Sequence, residues 1–498
     1  MLVMIDHDIE INLIRALNEQ NTWWLEGSPS EKFAKKFKRR DFYPISKELD
    51  TKEIIAIVGQ RQVGKTTVMY QLIEHLIKEK GVPPNRILYF SFDNPYISIL
   101  QSKQQNLINN VLEIFSVNIL KQPFQQTKDI VYIFFDEVSK YPLWSETLKG
   151  WYDLKLPIKF FVSDSTSSNV LKGSSESLVG RIKIQIMFSL KFIDIIRYKT
   201  NPKKAEVMNQ INLDLRKSLV ESVKTNSPQA FYTSLKAAYA KVSPSENELK
   251  TYLRDYFLKD GFPELLDMDS LDDCRKKLYD YISLTMQKDL LKIFQIRNPR
   301  ALEDLLTLIA AESSQRIAYQ TLSDTLSITD DTLKEYLDCL ESVFLISRAE
   351  YYSKSRAARI RKTNKIYLDN SGLRNVLVNK LSNDLFSDNA DLGKVTETVV
   401  HDHCKRLKFC LELTPDPELY YWFDNKGKEV DIIMEIQNKP IPIEVKYRNS
   451  ITDDELIGMK NCLLKFKKSP FGLVVTKDLL SINDKVVFIP MWLFLLIC

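Results

Sequence analysis

Continuous apolar runs alternate with amphipathic stretches over the first two hundred residues. Residues 54–58 are apolar throughout, which is typical of a strand buried on both faces of a parallel sheet. Residues 68–77 have apolar side chains at helical spacing, which predicts an amphipathic helix. Three later apolar runs, residues 86–92, 130–135 and 158–163, predict further strands. This order of elements predicts an α/β domain with a parallel sheet.

The pattern changes beyond residue 200. Residues 201–281 are mostly helical in pattern and are broken by prolines. Residues 317–326 predict a short helix and residues 329–343 a longer one, followed by strands, which is the layout of a winged helix-turn-helix. Residues 351–366 would form its hairpin wing. The alternative is a winged-helix fold that serves only protein packing.

Two strand-forming segments mark the last part of the chain. Residues 427–434 predict a turn entering a strand, and residues 441–447 predict the next strand. A helix is predicted from residue 393 to about residue 407. The final apolar run, residues 491–497, is too short to span a bilayer, which needs about 20 apolar residues. It predicts a buried terminal strand or helix, and we expect no membrane association.

Length and composition indicate the class of protein. A chain of 498 residues is too long for one hydrophobic core and suggests about three domains. The apolar fraction of 44% and the charged fraction of 27% are those of an ordinary soluble globular protein. Six scattered cysteines without a C-x-x-C pair, and the lack of a signal-peptide pattern, favour reduced thiols and a cytoplasmic location.

One turn carries a chemical signature. Residues 59–66 match the phosphate-loop pattern G-x-x-x-x-G-K-[ST] at each fixed position, between a predicted strand and a predicted helix. Backbone N–H groups and the helix dipole attract phosphate groups at such a turn. Lys65 would reach the β- and γ-phosphates of ATP, and the Thr66 hydroxyl would hold Mg²⁺. A chance match in a loop is the alternative. The predicted nucleotide contacts within the loop are Gly59, Gln62, Val63, Gly64, Lys65, Thr66 and Thr67.

Polar residues at later strand ends would complete this site. Asp136 and Glu137 follow the strand predicted over 130–135. Asp136 would contact Mg²⁺, and Glu137 would orient and polarise the attacking water. A strand that merely ends in acids is the alternative. Ser165 is a candidate sensor of the γ-phosphate. Arg181 is either a catalytic arginine, acting on its own or a neighbouring subunit's nucleotide, or half of a surface ion pair.

These features resemble the archaeal and bacterial AAA-type ATPases that carry a C-terminal nuclease-like domain. The resemblance rests on the phosphate loop, the acidic strand end, the polar run 164–169 and the segment 177–181, and it extends from about residue 53 to the C-terminus. It departs at Asp164, where the family usually has glycine. The resemblance implies a homo-oligomer and an α/β fold of four domains: an AAA-type ATPase domain (1–198), a helical lid (199–300), a winged-helix domain (301–385) and a restriction-endonuclease-like domain (386–498).

Three acids and a lysine are predicted to converge in the last domain. Strand alternation puts Glu444 and Lys446 on one face, Asp431 begins the neighbouring strand, and Glu397 on the preceding helix can point to the same place. Asp431 and Glu444 would bind Mg²⁺ for phosphodiester hydrolysis, and Lys446 would neutralise the developing charge. The arrangement resembles the restriction-endonuclease and Holliday-junction-resolvase superfamily, with Val430 in place of the usual proline. An inactive DNA-binding member and a solvated row of acids are the alternatives.

Two basic clusters bear on possible partners. The first lies between residues 32 and 40, where a partner-binding surface and an ordinary solvated surface are equally good interpretations. The second lies on the predicted wing and would contact DNA phosphates, although a solvated face is again the alternative. The acidic helix predicted over 329–343 argues against base reading. The predicted nucleic-acid contacts are Lys354, Arg356, Arg359, Arg361, Lys362 and Lys365.

The sequence therefore predicts an ATP-hydrolysing machine that acts on DNA. Branched or forked DNA is suggested by the resemblance to resolvases alone. The alternative from another class is a nucleotide-dependent switch in signalling or defence, whose C-terminal domain is a non-catalytic binding module. A third interpretation is an ATPase that handles protein partners.

Overall fold

A computed structural model describes residues 7–94, 106–167, 178–291, 294, 296–412 and 418–498. The chain divides into two compact units, Met1–Phe188 and Ser189–Cys498. Within the described ranges, no helix has the length and apolar character needed to cross a membrane.

The first unit is built on a five-stranded parallel sheet with the order β2-β3-β4-β1-β5. Both β1 and β3 are buried at every position, as their continuous apolar sequences predict. Because β4 pairs with β1 and with β3, the carboxyl ends of these three strands meet at one edge. Four strands agree with the prediction to within one residue, and β5 is additional. The strands are β1 (Ile54–Val58), β2 (Ile87–Ser91), β3 (Val131–Asp136), β4 (Ile158–Asp164) and β5 (Ile182–Ile186).

Along the chain, α-helices lie before β1 and between successive strands from β1 to β4. The helix Lys65–Lys78 starts after Gly64, whose φ of 98° lies in the left-handed region that glycine adopts readily. Its apolar stripe is buried, so the predicted amphipathic helix is confirmed. The other α-helices described in this unit are His7–Gln20, Trp23–Glu26, Phe42–Ser46, Leu107–Phe115 and Trp144–Asp153. Shorter turns are the π-helical Ser116–Leu120 and the 3₁₀ segments Lys47–Asp50, Pro84–Arg86, Phe124–Gln126 and Val138–Lys140.

The second unit joins a helical part to an eight-stranded mixed sheet with the order β12-β13-β11-β10-β9-β8-β6-β7. Its strands are β6 (Ile346–Tyr351), β7 (Lys365–Leu368), β8 (Tyr420–Phe423), β9 (Glu429–Ile436), β10 (Lys439–Lys446), β11 (Gly472–Thr476), β12 (Ser481–Asn483) and β13 (Val486–Pro490). Its described α-helices are Phe192–Lys199, Pro202–Thr225, Pro228–Val242, Glu246–Lys259, Leu271–Leu284, Pro299–Ala311, Tyr319–Leu326, Asp330–Ser342, Arg356–Ile360, Ser371–Leu377, Asn389–Glu412, Ile457–Lys465 and Met491–Phe494.

The predicted wing differs from a simple hairpin. The helices Tyr319–Leu326 and Asp330–Ser342 agree with the two helices predicted there. However, the helix Arg356–Ile360 lies between β6 and β7, and β6 also pairs in parallel with β8. The predicted winged-helix and nuclease-like segments therefore share one sheet. Together with the predicted lid they fall in the second compact unit.

The apolar end of the chain is buried. The helix Met491–Phe494 and the residues that follow it are inaccessible to solvent. The side-chain amide of Asn212 donates hydrogen bonds to the carbonyl oxygens of Leu496 (2.7 Å) and Cys498 (3.1 Å). The predicted buried terminal element is confirmed, and it is a short helix.

Candidate functional site

The phosphate loop connects the carboxyl end of β1 to the helix Lys65–Lys78. Lys65 is 5% exposed, and its ammonium group donates to the carbonyl oxygens of Gly59 (2.7 Å) and Gln60 (3.1 Å). Gln62 and Gly64 adopt left-handed conformations with φ of 64° and 98°, which let the chain turn tightly. The loop thus encloses its own lysine, which lies at the start of a helix where phosphate groups bind well.

Arg39, outside the phosphate-loop motif, and Gly59, its first residue, both shape this loop. Arg39 is 5% exposed, and its guanidinium donates to the carbonyl oxygens of Val63 (2.6 Å) and Phe188 (2.7 Å). A Cβ atom on Gly59 would lie 2.0 Å from the carbonyl oxygen of Met187, so glycine is required there. Sequence analysis missed the role of Arg39, because a run of basic residues gives no sign of which member is buried.

Asp136 at the end of β3 accepts hydrogen bonds from three hydroxyl groups. The hydroxyls of Thr66 and Tyr89 each donate to Oδ2 at 2.7 Å, and that of Ser163 donates to Oδ1. Asp136 itself is 4% exposed. The predicted pair of Thr66 and Asp136 is therefore brought together, and its hydroxyl and carboxylate oxygens are ligands that Mg²⁺ prefers. The contacts of Tyr89 and Ser163 with Asp136 were not predicted. A serine within the mostly apolar strand β4 could have indicated that Ser163 belongs to the site.

Glu137 follows Asp136 with a left-handed φ of 54°, a conformation that is uncommon outside glycine and often found at functional sites. Its backbone N–H donates to Ser163 Oγ (3.1 Å), and the Ser165 hydroxyl donates to its Oε2 (3.3 Å). Burial raises the pKa of Glu137 to about 7, although the positive charge of Lys65 opposes this shift. The predicted water-orienting acid and the predicted sensor serine are therefore in contact.

Asp164, the departure from the family pattern, fixes two turns: the one that directly follows it and the one that follows Glu137. Its buried carboxylate accepts hydrogen bonds from the backbone N–H groups of Ser139 (3.0 Å) and Thr166 (2.8 Å). Burial raises the pKa of this group. Through Ser139 it positions the turn that directly follows Glu137. The members of the predicted polar segments at 168, 169 and 177 lie outside the described residues.

Arg181 lies away from the phosphate loop. The parallel register pairs Ile54 with Ile182, so Arg181 is at the amino end of β1, whereas the loop leaves the carboxyl end. Its guanidinium makes two contacts with the Asp153 carboxylate, at 2.8 and 3.3 Å. The structure thus shows the surface ion pair, and it does not bring Arg181 to the nucleotide site of its own chain. Contact with the nucleotide of a second copy stays a prediction.

A buried lysine lies among the acids of the second unit. Lys365 is 3% exposed, and its Nζ is 2.7 Å from Glu397 Oε1, 2.5 Å from Glu429 Oε1 and 3.7 Å from Asp431 Oδ1. Burial alone would lower the pKa of Lys365, but the surrounding groups, Glu397 foremost, raise this pKa well above its ordinary value. The prediction that Lys365 contacts nucleic acid from an exposed wing is wrong, because its side chain is buried among these carboxylates.

The predicted metal ligands are engaged by groups of the protein. Asp431 Oδ2 accepts a hydrogen bond from the backbone N–H of Val445 (2.9 Å), and Glu444, which is 1% exposed, pairs with Lys446 at 3.2 Å. Across the part of the chain that the structure describes, no three or more His, Cys, Asp or Glu side chains form a group that could hold a metal ion. Asp431 and Glu397 meet around Lys365. Burial lowers the pKa of Lys446, but Asp431, Glu444 and Glu397 together raise it, so the four predicted residues are brought together. These residues do not fit the expected Mg²⁺ site.

The other basic residues of the predicted wing differ in exposure. Arg359 is partly buried and donates to the Tyr420 hydroxyl (3.1 Å). Lys362 is exposed, with its Nζ 5.1 Å from the centre of the Phe423 ring. Lys354, Arg356 and Arg361 are also exposed. These exposed side chains remain accessible to an anionic partner.

Three family models match successive parts of the chain. Residues 51–196 match an AAA domain, and two domains of unknown function, DUF8612 and DUF4143, match residues 250–384 and 392–494. An uncharacterized protein of Methanocaldococcus jannaschii is 27% identical over 477 residues, which cover 93% of this chain and 90% of that protein. A second uncharacterized protein of the same organism is 22% identical, with coverages of 81% and 76%. The first unit therefore contains an AAA-type phosphate-loop domain.

Two solved structures show a weak likeness to this chain. A structure of PCH-2 from C. elegans is 13% identical with a TM-score of 0.24, over 68% of this chain and 71% of that one. A structure of Hsp104 with ATPγS and casein is 12% identical with a TM-score of 0.27, over 91% and 93% of the two chains. TM-scores this low do not establish a shared overall arrangement.

Proposed function

We propose that this protein is an ATP-hydrolysing AAA-type ATPase that acts on DNA. The observation that carries the ATPase activity is the 2.7 Å hydrogen bond from Thr66 to Asp136, with Glu137 as the next residue. This bond joins the phosphate loop to the acidic end of β3. Groups suited to binding a triphosphate and a group suited to activating water therefore share one site.

Each residue of this site has a defined task in the proposed reaction. Lys65 would exchange its carbonyl contacts for β- and γ-phosphate oxygens, because an anionic acceptor forms the stronger hydrogen bond. Mg²⁺, held by Thr66 and Asp136, would offset the negative charge between these phosphates. Glu137 would orient the attacking water and accept its proton, a task that suits a pKa of about 7. Ser165 would link Glu137 to the γ-phosphate.

Exposed basic residues support the proposed action on DNA. Lys354, Arg356, Arg361 and Lys362 lie close together in sequence and are exposed, as phosphate contacts require. Cleavage is not part of this proposal, because both predicted metal ligands already face a cation of the protein: Asp431 lies 3.7 Å from Lys365, and Glu444 lies 3.2 Å from Lys446. The second unit would bind DNA, and ATP turnover in the first unit would change its affinity for DNA.

A nucleotide-dependent switch is the second candidate function. The engagement of Glu397, Asp431 and Glu444 by lysines and a backbone N–H favours a second unit that binds without cutting. Such a protein would hydrolyse ATP slowly, and DNA would not change the rate. Assembly into a homo-oligomer is compatible with both functions and stays a prediction from the family resemblance.

The rate of ATP hydrolysis with and without DNA tests the proposal. The purified full chain would be assayed with single-stranded, duplex and forked DNA at low and moderate salt, with Lys65→Ala as the inactive control. We expect DNA to increase the rate of the unmodified protein and the effect to weaken as salt rises. A slow rate that no DNA changes would support the switch instead. No hydrolysis and no affinity for ATP would contradict both functions.

A further inference from the structure

A groove of about 620 Å³ lies in the second unit, and its lining does not include Lys365 or the acids around it. One wall is the segment that follows β6, including Tyr352 and Lys354. The opposite wall is the end of the helix Ile457–Lys465 and the residues after it. This volume is within the range of about 300 to 1,000 Å³ that is usual for ligand sites. Lys354 belongs to the predicted basic wing, whereas the lysines of the opposite wall belong to no predicted site.

The groove is strongly basic. Lys354, Lys465, Lys467 and Lys468 line it, against a single acid, Glu435. Glu435 accepts a hydrogen bond from the Tyr352 hydroxyl at 2.7 Å. Among the described residues, no carboxylate lies within ion-pair distance of the three lysines Lys354, Lys467 and Lys468. This excess of positive charge indicates an anionic ligand.

Aromatic rings lie beside these lysines. Phe466 is partly buried, and its ring centre is 4.9 Å from that of Tyr352 and 5.8 Å from that of Trp422. Lys465 Nζ is 5.1 Å from the centre of the Trp422 ring. Lysines that follow a backbone, next to an accessible aromatic ring, are the combination used to bind single-stranded nucleic acid without strong sequence preference.

The turn that contributes Asn438 to the lining of the groove is held in place by backbone geometry. Gln437 and Asn438 join β9 to β10 and both have positive φ, 53° and 60°, as in the tight two-residue turns that connect twisted strands. The next residue, Lys439, donates to the carbonyl oxygens of Val223 (2.9 Å) and Lys224 (3.0 Å) at the end of a long helix. The groove is therefore preformed, which lowers the ordering cost of binding a flexible strand.

We propose that this groove binds a segment of single-stranded nucleic acid. Lys354, Lys467 and Lys468 would contact phosphates, and a base would stack against Phe466. Lys354 also continues into the exposed basic segment that contains Arg356, so the bound strand would extend along both. This inference rests on the proposed action on DNA and adds that the DNA bound in this groove is single-stranded.

Salt-dependent binding tests the groove. A fluorescein-labelled thymidine oligonucleotide of about 20 residues, longer than one typical single-strand site, would be titrated with the full chain at several salt concentrations. Lys467→Gln/Lys468→Gln removes two positive charges from the groove. Lys217→Gln/Lys241→Gln removes two exposed charges from helices elsewhere in the same unit and is the matched control. We expect the groove variant, but not the control, to reduce the slope of log affinity against log salt by about 1.4, since each phosphate contact contributes about 0.7.

The aromatic contact has its own variant. Phe466→Leu keeps an apolar side chain but removes the ring, and thermal unfolding would show whether the fold is intact. We expect affinity for the oligonucleotide to fall by roughly 5-fold or more, because base stacking on an aromatic side chain contributes about 1–3 kcal/mol. The salt slope should stay unchanged, since no charge is lost.

Each contrary result has a separate meaning. If Lys467→Gln/Lys468→Gln binds like its control while the unmodified protein binds DNA, the groove is not the site, although the proposed function stands. If a duplex of the same length depends equally on these lysines, or poly-glutamate competes equally well, the assignment to a single strand is wrong. If the unmodified protein binds no nucleic acid, the inference and the proposed action on DNA both fail, whereas the ATPase rate without DNA is unaffected.

Discussion

Lys365 donates a hydrogen bond of 2.7 Å to Glu397 in the interior of the second unit. This contact joins β7 to the helix Asn389–Glu412, and Glu429 on β9 shares the same ammonium group. Burying several carboxylates together is costly unless a cation compensates them. The ammonium group of Lys365 therefore supplies a positive charge where the sequence pattern predicted a metal ion.

Replacing this lysine should destabilise the second unit. Lys365→Met keeps most of the length of the side chain but leaves Glu397 without its cation, whereas Glu429 keeps its ion pair with Arg316 at 3.1 Å. We expect a loss of about 3–5 kcal/mol in the free energy of unfolding, the range for breaking a buried ion pair. Chemical denaturation would measure it, with the exposed Lys362→Met as the control. Equal stability of the two variants would show that the cation is not needed.

The same contacts predict the outcome of a cleavage assay. Asp431→Asn removes an acid that lies beside Lys365 and accepts from the backbone N–H of Val445. We expect nicking of supercoiled plasmid DNA with Mg²⁺ or Mn²⁺ to stay at the level of the buffer control, both for the unmodified protein and for this variant. Metal-dependent nicking that disappears in Asp431→Asn would restore the nuclease hypothesis.

Glu137→Gln should separate ATP binding from ATP hydrolysis. The amide retains the size of the side chain but cannot accept a proton from water, so we expect the hydrolysis rate to fall by about 10²- to 10⁴-fold. ATP affinity should be kept, because the phosphate loop and Lys65 are unchanged. Rapid-quench measurement of phosphate release and equilibrium binding of labelled ATP would test the two parts. A variant that hydrolyses ATP at the normal rate would remove Glu137 from the mechanism.

The pH dependence of hydrolysis follows from the same residue. Glu137 acts as a base only when it is deprotonated, and burial raises its pKa to about 7. We therefore expect kcat/KM to be low at pH 6, to rise through about pH 7 and to level off above it, because kcat/KM reports the groups of the free enzyme. Steady-state assays across this range would show the rise. Its persistence in Glu137→Gln would assign it to another group.

Arg39→Met tests the support of the phosphate loop from outside the motif. The substitution removes the guanidinium that donates to the carbonyl oxygens of Val63 and Phe188 and that pairs with Asp41 at 2.7 Å. We expect a loss of about 2–6 kcal/mol in stability, at about 1–3 kcal/mol for each of the two buried carbonyl oxygens that lose this donor, together with weaker ATP binding. Thermal unfolding and ATP titration would be compared with Lys35→Met, which alters an exposed neighbour in the same basic run. Equal stability and equal ATP affinity of the two variants would show that Arg39 is not needed to support the loop.

The sequence by itself determined the elements around the phosphate loop. The buried strands β1 and β3, the helix Lys65–Lys78 and the order of glycines and lysine are local patterns, and each is set by residues within a short stretch. The pairing of Thr66 with Asp136 was also accessible, because parallel strands bring their carboxyl ends to one edge of the sheet.

Only the tertiary structure decided where individual charges lie. Lys365 and Arg39 are members of basic runs, yet each is buried against partners from distant parts of the chain. Arg181 is paired at the opposite end of its strand from the loop. A run of basic residues shows that positive groups are present. Whether each of them is buried depends on which distant segment of the chain packs over its side chain. That choice is made by strand pairing and packing across the whole unit, which no local pattern encodes.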